Sequence, residues 1–140
     1  MELREARLDI IKIKAQIERL FEKLDGETHN IQCDFNNLDE NFMRDQYIWI
    51  LCKLQDAYFR MDYISKPVTD QGFIKHNDSG RYELPSGYYF TSGNQCEILD
   101  EKYGEQEWRY TTIEHNGENY YATVLGKNVS INGKMVRVRR

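Results

Sequence analysis

The stretch WRYTTIEHNGENYYATVL, residues 108–125, decides the fold of the second half of the chain. Two runs rich in Tyr, Thr, Ile and Val flank Asn116-Gly117. Such runs are built for a half-buried pleated strand. Asn-Gly is the strongest short hairpin signal, because both positions accept positive φ. Trp108-His115 and Tyr120-Leu125 are therefore expected to pair as a hairpin.

The same grammar extends on both sides. Arg81-Leu84, Tyr88-Thr91, Gln95-Leu99, Val129-Ile131 and Met135-Arg139 are further short runs. Pro85-Ser86-Gly87, Ser92-Gly93-Asn94, Tyr103-Gly104 and Asn132-Gly133 punctuate them. Asn132-Gly133 predicts a second hairpin joining Val129-Ile131 to Met135-Arg139. Six or seven short strands in this space predict a small bent sheet or an SH3-like barrel over residues 81–140.

Before residue 65 the period is helical. Leu3, Ala6, Ile10, Ile13, Ile17, Leu20 and Leu24 alternate spacings of three and four, and so do Met43, Tyr47, Ile50, Leu54, Ala57, Met61 and Ile64. Each is an a/d heptad. Asp25-Gly26 predicts the end of the first helix. Asn37, with Glu40 three residues on, predicts a capping box for the second. Lys66-Pro67 predicts its end. Residues 1–65 thus read as an antiparallel helical hairpin, and 66–80, polar and turn-rich, as a linker. The fold class is α+β. Helix two carries a second apolar stripe, Phe42, Trp49, Cys52, Phe59 and Tyr63, suited to a second packing surface or a partner.

Charge narrows the partners. Residues 1–65 hold nine Lys/Arg against thirteen Asp/Glu, and residues 81–140 hold eight of each. A phosphate-gripping protein usually carries a basic surplus, so nucleic acid is the weaker expectation. No run approaches the roughly 18–20 apolar residues of a membrane span. The charged start MELREARLDI is unlike a secretory signal. Three widely spaced cysteines argue against a disulfide framework and fit a cytoplasmic protein.

No cofactor fingerprint or phosphate loop occurs. His29-x3-Cys33 has a metal-like spacing without the further ligands zinc needs. Cys96 and His115 could form a nucleophile and base if strands brought them together, but Cys96 alternates with Ile98 and reads as core. The protein is therefore expected not to be an enzyme, with a small Cys96/His115 enzyme as the last alternative. Asp100, Glu101 and Glu105 read as an acidic loop. Neighbours in a strand face opposite ways, so Tyr88 with Tyr89, and Tyr120 with Tyr121, must each put one ring outward. These tyrosines, the acidic loop, Trp49 and Phe59 are the candidate partner surface. Lys134, Arg137, Arg139 and Arg140 are the candidate nucleic-acid patch, or the charged guard of an edge strand. The helical hairpin could also pair with a second copy.

Residues 80–140 resemble a domain family of unknown function from Gram-positive bacteria, common on phages, plasmids and conjugative elements. The resemblance rests on Leu84, Ser92-Gly93, Glu97-Ile98-Leu99, Trp108, Thr112-Ile113-Glu114-His115, Tyr120-Tyr121 and Val136-Arg137-Val138-Arg139. It implies a mobile-element accessory protein and brings no activity and no functional residues. The expectation it supports is a protein-binding inhibitor of the anti-CRISPR kind.

Overall fold

The computed structural model describes residues 1–140. They form two compact units, Met1–Ser65 and Lys66–Arg140.

The first unit is two helices, α1 (Leu3–Lys23) and α2 (Leu38–Ser65). α1 stops where Asp25 and Gly26 take positive φ, and the Gly26 and Asp25 amides donate to the Phe21 and Glu22 carbonyls. That pair of bonds satisfies carbonyls the helix end leaves open. Asn37 caps α2 by accepting the amides of Asp39 and Glu40 at 3.0 and 3.1 Å. The capping box does not close. The Glu40 carboxylate turns away and accepts the Asp34 amide at 2.7 Å. Arg44 holds the connecting loop by donating to the carbonyls of Ile31 and His29.

The helices run antiparallel: Lys14 bridges to Asp62, and both Glu18 and Phe21 meet Tyr58. Here the heptad expectation needs correcting. The facing line runs through Lys14, Ile17 and Phe21 on α1 and through Leu51, Tyr58 and Asp62 on α2, not along the full a/d seam. Ile17 and Leu51 are buried, whereas Ile13, Leu20, Met43, Tyr47 and Ile50 remain exposed. The heptad positions that lie alongside the other helix are covered, with Ile17 and Leu24 buried and Leu54, Ala57 and Met61 half-buried, while Met43, Tyr47 and Ile50 lie past the end of α1. Neither helix is long and apolar enough to cross a membrane.

The second unit holds seven strands: β1 (Val68–Phe73), β2 (Lys75–His76), β3 (Tyr82–Glu83), β4 (Gln95–Lys102), β5 (Glu105–His115), β6 (Tyr120–Ala122) and β7 (Met135–Arg139). Five make an antiparallel sheet in the order β1-β7-β4-β5-β6, while β2 and β3 pair separately. The sheet is open, with β1 and β6 as its edges, so no barrel closes. The expected hairpin forms, with Ile113 opposite Ala122 and His115 opposite Tyr120. Its loop is four residues rather than two. The Asn116 side chain accepts the amides of Glu118 and Asn119, and Gly117 supplies the positive φ.

Four strand expectations fail, the first being Tyr88-Thr91, where only an isolated bridge from Tyr89 to Glu83 forms. Residues 66–80 are not a linker, since β1 lies in the main sheet and pairs with β7. Val129-Ile131 forms no strand, and Asn132-Gly133 turns the chain without making a hairpin. β7 lies between β1 and β4, so it is no edge strand. β4 and β5 also run further than expected, to a tight turn at Tyr103-Gly104 where both residues have positive φ.

One face of the sheet builds the core. Cys96, Ile98, Ile113, Ala122, Val136 and Val138 point inward, and Ile74, Tyr82, Leu84, Phe90 and Ile131 cover them. Gly72 is buried because a Cβ there would sit 2.5 Å from Pro85 Cδ. Gly72→Ala should thus lower stability by about 1–3 kcal/mol through overpacking. Chemical denaturation checks this, and an unchanged midpoint would contradict the close approach.

Candidate functional site

The opposite face of the sheet carries its charge. Alternation along β7 puts Val136 and Val138 inward and Arg137 and Arg139 outward, and register sets Arg137 beside Glu97 of β4. Glu97 is 8% exposed. Its carboxylate accepts from Arg137 Nη2 at 2.9 Å and Nε at 3.1 Å, and from Arg139 Nε at 3.1 Å. The Arg137 guanidinium also lies over the Trp108 ring, 4.2 Å from its centroid. Arg139 donates further to the Lys66 carbonyl.

Arg140 is engaged elsewhere, donating to Asp70 at 2.6 Å and lying over the Tyr88 ring. Asp70, Tyr88, Tyr89, Asn94 and Arg140 line a shallow depression of about 530 Å³. Hydrogen bonds from Ser86 and Thr69, then Arg140, hold the Asp70 carboxyl below its ordinary range against the opposing effect of burial. Arg109, the Glu101 amide and Lys134 do the same for Asp100. Both carboxyls therefore stabilise the fold above the ordinary value of 3.8. Their contribution is lost as pH falls from there through their lower folded values. Acid titration of the second unit should show this loss, and Asp70→Asn should flatten part of it. An unaltered acid limb in that variant would contradict the Asp70 arrangement.

All three arginines of the expected nucleic-acid patch are thus paired with carboxylates on their own unit. Counterion release needs cations that phosphate can claim, and Glu97 and Asp70 already offset two of these three positive charges. Lys134 is half-buried beside Asp100.

The expected partner residues do not gather into one surface. Tyr88 and Tyr120 pack against the core, and Tyr121 is half-buried. Tyr89 is 52% exposed, with Arg81 over its ring. Asp100, Glu101 and Glu105 belong to β4 and β5, not to a loop, and Asp100 is bonded to Arg109 at 2.9 Å. The exposed tip of that hairpin is Tyr103. On α2, Trp49 and Phe59 are exposed.

Cys96 and His115 do not meet. Cys96 is opposite Thr111, four positions before His115 on β5, or about 13 Å at strand rise. Burial, with a smaller push from Glu97, raises the Cys96 thiol to about 12. His115 packs on Tyr120 and accepts the Gly117 amide. No three His, Cys, Asp or Glu side chains converge as metal ligands.

Two residues escaped the sequence reading. Glu97 looks like the solvent side of a strand until register places two arginines beside it. Asp70 lay in the segment read as linker.

This second unit is an open antiparallel sheet with a buried carboxylate between two guanidiniums on its polar face. Residues 72–139 match the family model described as a domain of unknown function, DUF5348. No curated protein and no solved structure matches the chain at a significant level.

Proposed function

We propose that the protein is a non-enzymatic binding protein of a phage or other mobile element. It works in the cytoplasm by occupying a partner protein's surface, as anti-CRISPR and related anti-defence inhibitors do. One observation carries the binding role. α2 presents Phe42 and Trp49, one heptad apart, at 60% and 62% exposure. Large aromatics are the residue types that anchor protein interfaces. The mobile-element setting is supported by the resemblance of residues 80–140. The paired state of Arg137, Arg139 and Arg140 favours a protein partner over nucleic acid.

The test is capture from extracts of the source cell by the full chain. Trp49→Ser and Phe42→Ser should each abolish the captured partner with unchanged far-ultraviolet circular dichroism, while Tyr103→Ser retains it. A partner that survives both substitutions overturns the reading. So does tight binding to short DNA or RNA at near-physiological salt.

A further inference from the structure

We propose that the open edge of β5, along residues 105–110, takes up an extended strand of a partner protein with Lys or Arg at every second position. The inference rests on the second unit alone and is independent of which protein covers Trp49.

The β4–β5 hairpin outruns both of its neighbours. β7 pairs with β4 at Glu97 and Ile98, and β6 pairs with β5 at Ile113, Glu114 and His115. From Leu99 to Trp108 the hairpin therefore continues as a two-stranded arm around the Tyr103-Gly104 turn. Two strands alone are marginal in water. The Arg109–Asp100 ion pair at 2.9 Å and Arg137 over the Trp108 ring brace this pair. The pairing also fixes which main-chain groups are open. The Thr112 carbonyl accepts the Thr123 amide, and the Thr112 amide reaches the Thr123 hydroxyl, both on the β6 side. In an antiparallel strand one residue sends both main-chain groups to one side and the next sends both to the other. Trp108 and Gln106 therefore point theirs to the same side as Thr112. No strand lies beside them there, and their amides and carbonyls have no partner on that side. Those groups stand in the pattern that a further strand satisfies.

Charge chooses the occupant. Glu105 and Glu107 flank Gln106 on one face of the arm, both exposed and about 7 Å apart at strand rise. The cation beside them, Arg109, is bonded to Asp100 and lies 4.0 Å from Glu107. Residues set opposite these carboxylates on an added strand are favourable as Lys or Arg and unfavourable as Asp or Glu. On the other face, the half-buried Trp108 ring suits an apolar residue between the basic ones. A second copy fits poorly, because antiparallel self-pairing of Gln106 with Trp108 sets Glu107 against its own counterpart. The same carboxylates thus guard the edge against self-association and admit a basic strand.

Titration calorimetry and amide exchange of the full chain test it, with an end-capped octapeptide of alternating Lys and Val as the probe. Saturating peptide should slow exchange of the Gln106 and Trp108 amides by about tenfold or more. Glu105→Lys/Glu107→Lys should weaken binding by about tenfold or more, whereas Glu5→Lys/Glu22→Lys, an equal charge change at exposed positions of α1, should leave it. In an added strand every second amide faces the edge. Methylating the amide nitrogens of one alternate set in the peptide should therefore abolish binding, and methylating the other set should spare it. No binding at about millimolar peptide overturns the proposal. So does equal binding of a peptide with the same composition and its Lys in one block, since charge alone would then suffice. Binding that survives Glu105→Lys/Glu107→Lys, or tolerance of both methylated peptides, overturns it as well. Protection of Gln106 and Trp108 that rises with protein concentration in the absence of peptide would seat a second copy on the edge, and that too overturns it.

Discussion

Phe90→Ala is expected to cost the second unit about 3–5 kcal/mol. Phe90 is 0% exposed and is among the largest fully buried side chains. Its ring meets Tyr88 edge-on at 5.1 Å, and its amide donates to the Tyr82 carbonyl. It lies on the irregular layer that covers the sheet, so no regular neighbour can slide in to fill the space. At roughly 0.05–0.15 kcal/mol per residue, a unit of this size has about 4–11 kcal/mol in total. Much of the population should be unfolded in modest denaturant. Amide exchange at Ile98 and Val136 reads the loss directly. Protection unchanged by the substitution would mean that Phe90 is not part of the core.

Glu97→Ala should be comparably severe, at about 3–5 kcal/mol, for a different reason. The substitution removes little apolar area. It leaves the guanidiniums of Arg137 and Arg139 side by side, partly buried and without the carboxylate that balances them. A compensated variant separates this from simple loss of contacts. Glu97→Leu combined with Arg137→Leu and Arg139→Leu removes all three charges and should recover most of the stability, because desolvation offsets much of what a buried ion triad gains. If the triple variant is as unstable as Glu97→Ala, the cost lies in packing, not in stranded charge.

Both residues show what the amino-acid sequence discloses and what it withholds. The hairpin of residues 108–125, the Asn37 cap and the Asp25-Gly26 stop are local. Each depends on residues within a few positions, and each is present. β1 was invisible for a physical reason. Its sheet-facing positions include Asp70 and Gly72 instead of aliphatic side chains, so the strand Val68–Phe73 shows no apolar alternation. Gly72 is there to admit Pro85, and no property of residues 66–80 alone reveals that. Glu97 and the arginines were each visible, but their pairing follows from a register between distant strands. In the helices the period was legible and its use was not. A heptad says that a face is covered, and it does not say whether the cover is the neighbouring helix. The tyrosines illustrate the same limit: alternation requires one of Tyr88 and Tyr89 to face outward, and packing decided that it is Tyr89.

The placement of β7 between β1 and β4 bears on how the second unit is made. The β4–β5 and β5–β6 hairpins join neighbours in sequence and can form as soon as they are synthesised. β1 has no sheet partner except β7, which is translated after every other strand. Pairings of such wide sequence separation are slow, because loop closure precedes any return in contacts. On the ribosome, β1 must wait with open edge groups, and the apolar face of β4 stays half uncovered until Val136 and Val138 emerge. Polar side chains at Thr69, Asp70 and Gln71 suit a strand that spends that interval in water. The late strand makes assembly of the sheet close to all-or-none, so a chain shortened before residue 135 should lose the β1 pairing and the Glu97 cluster together.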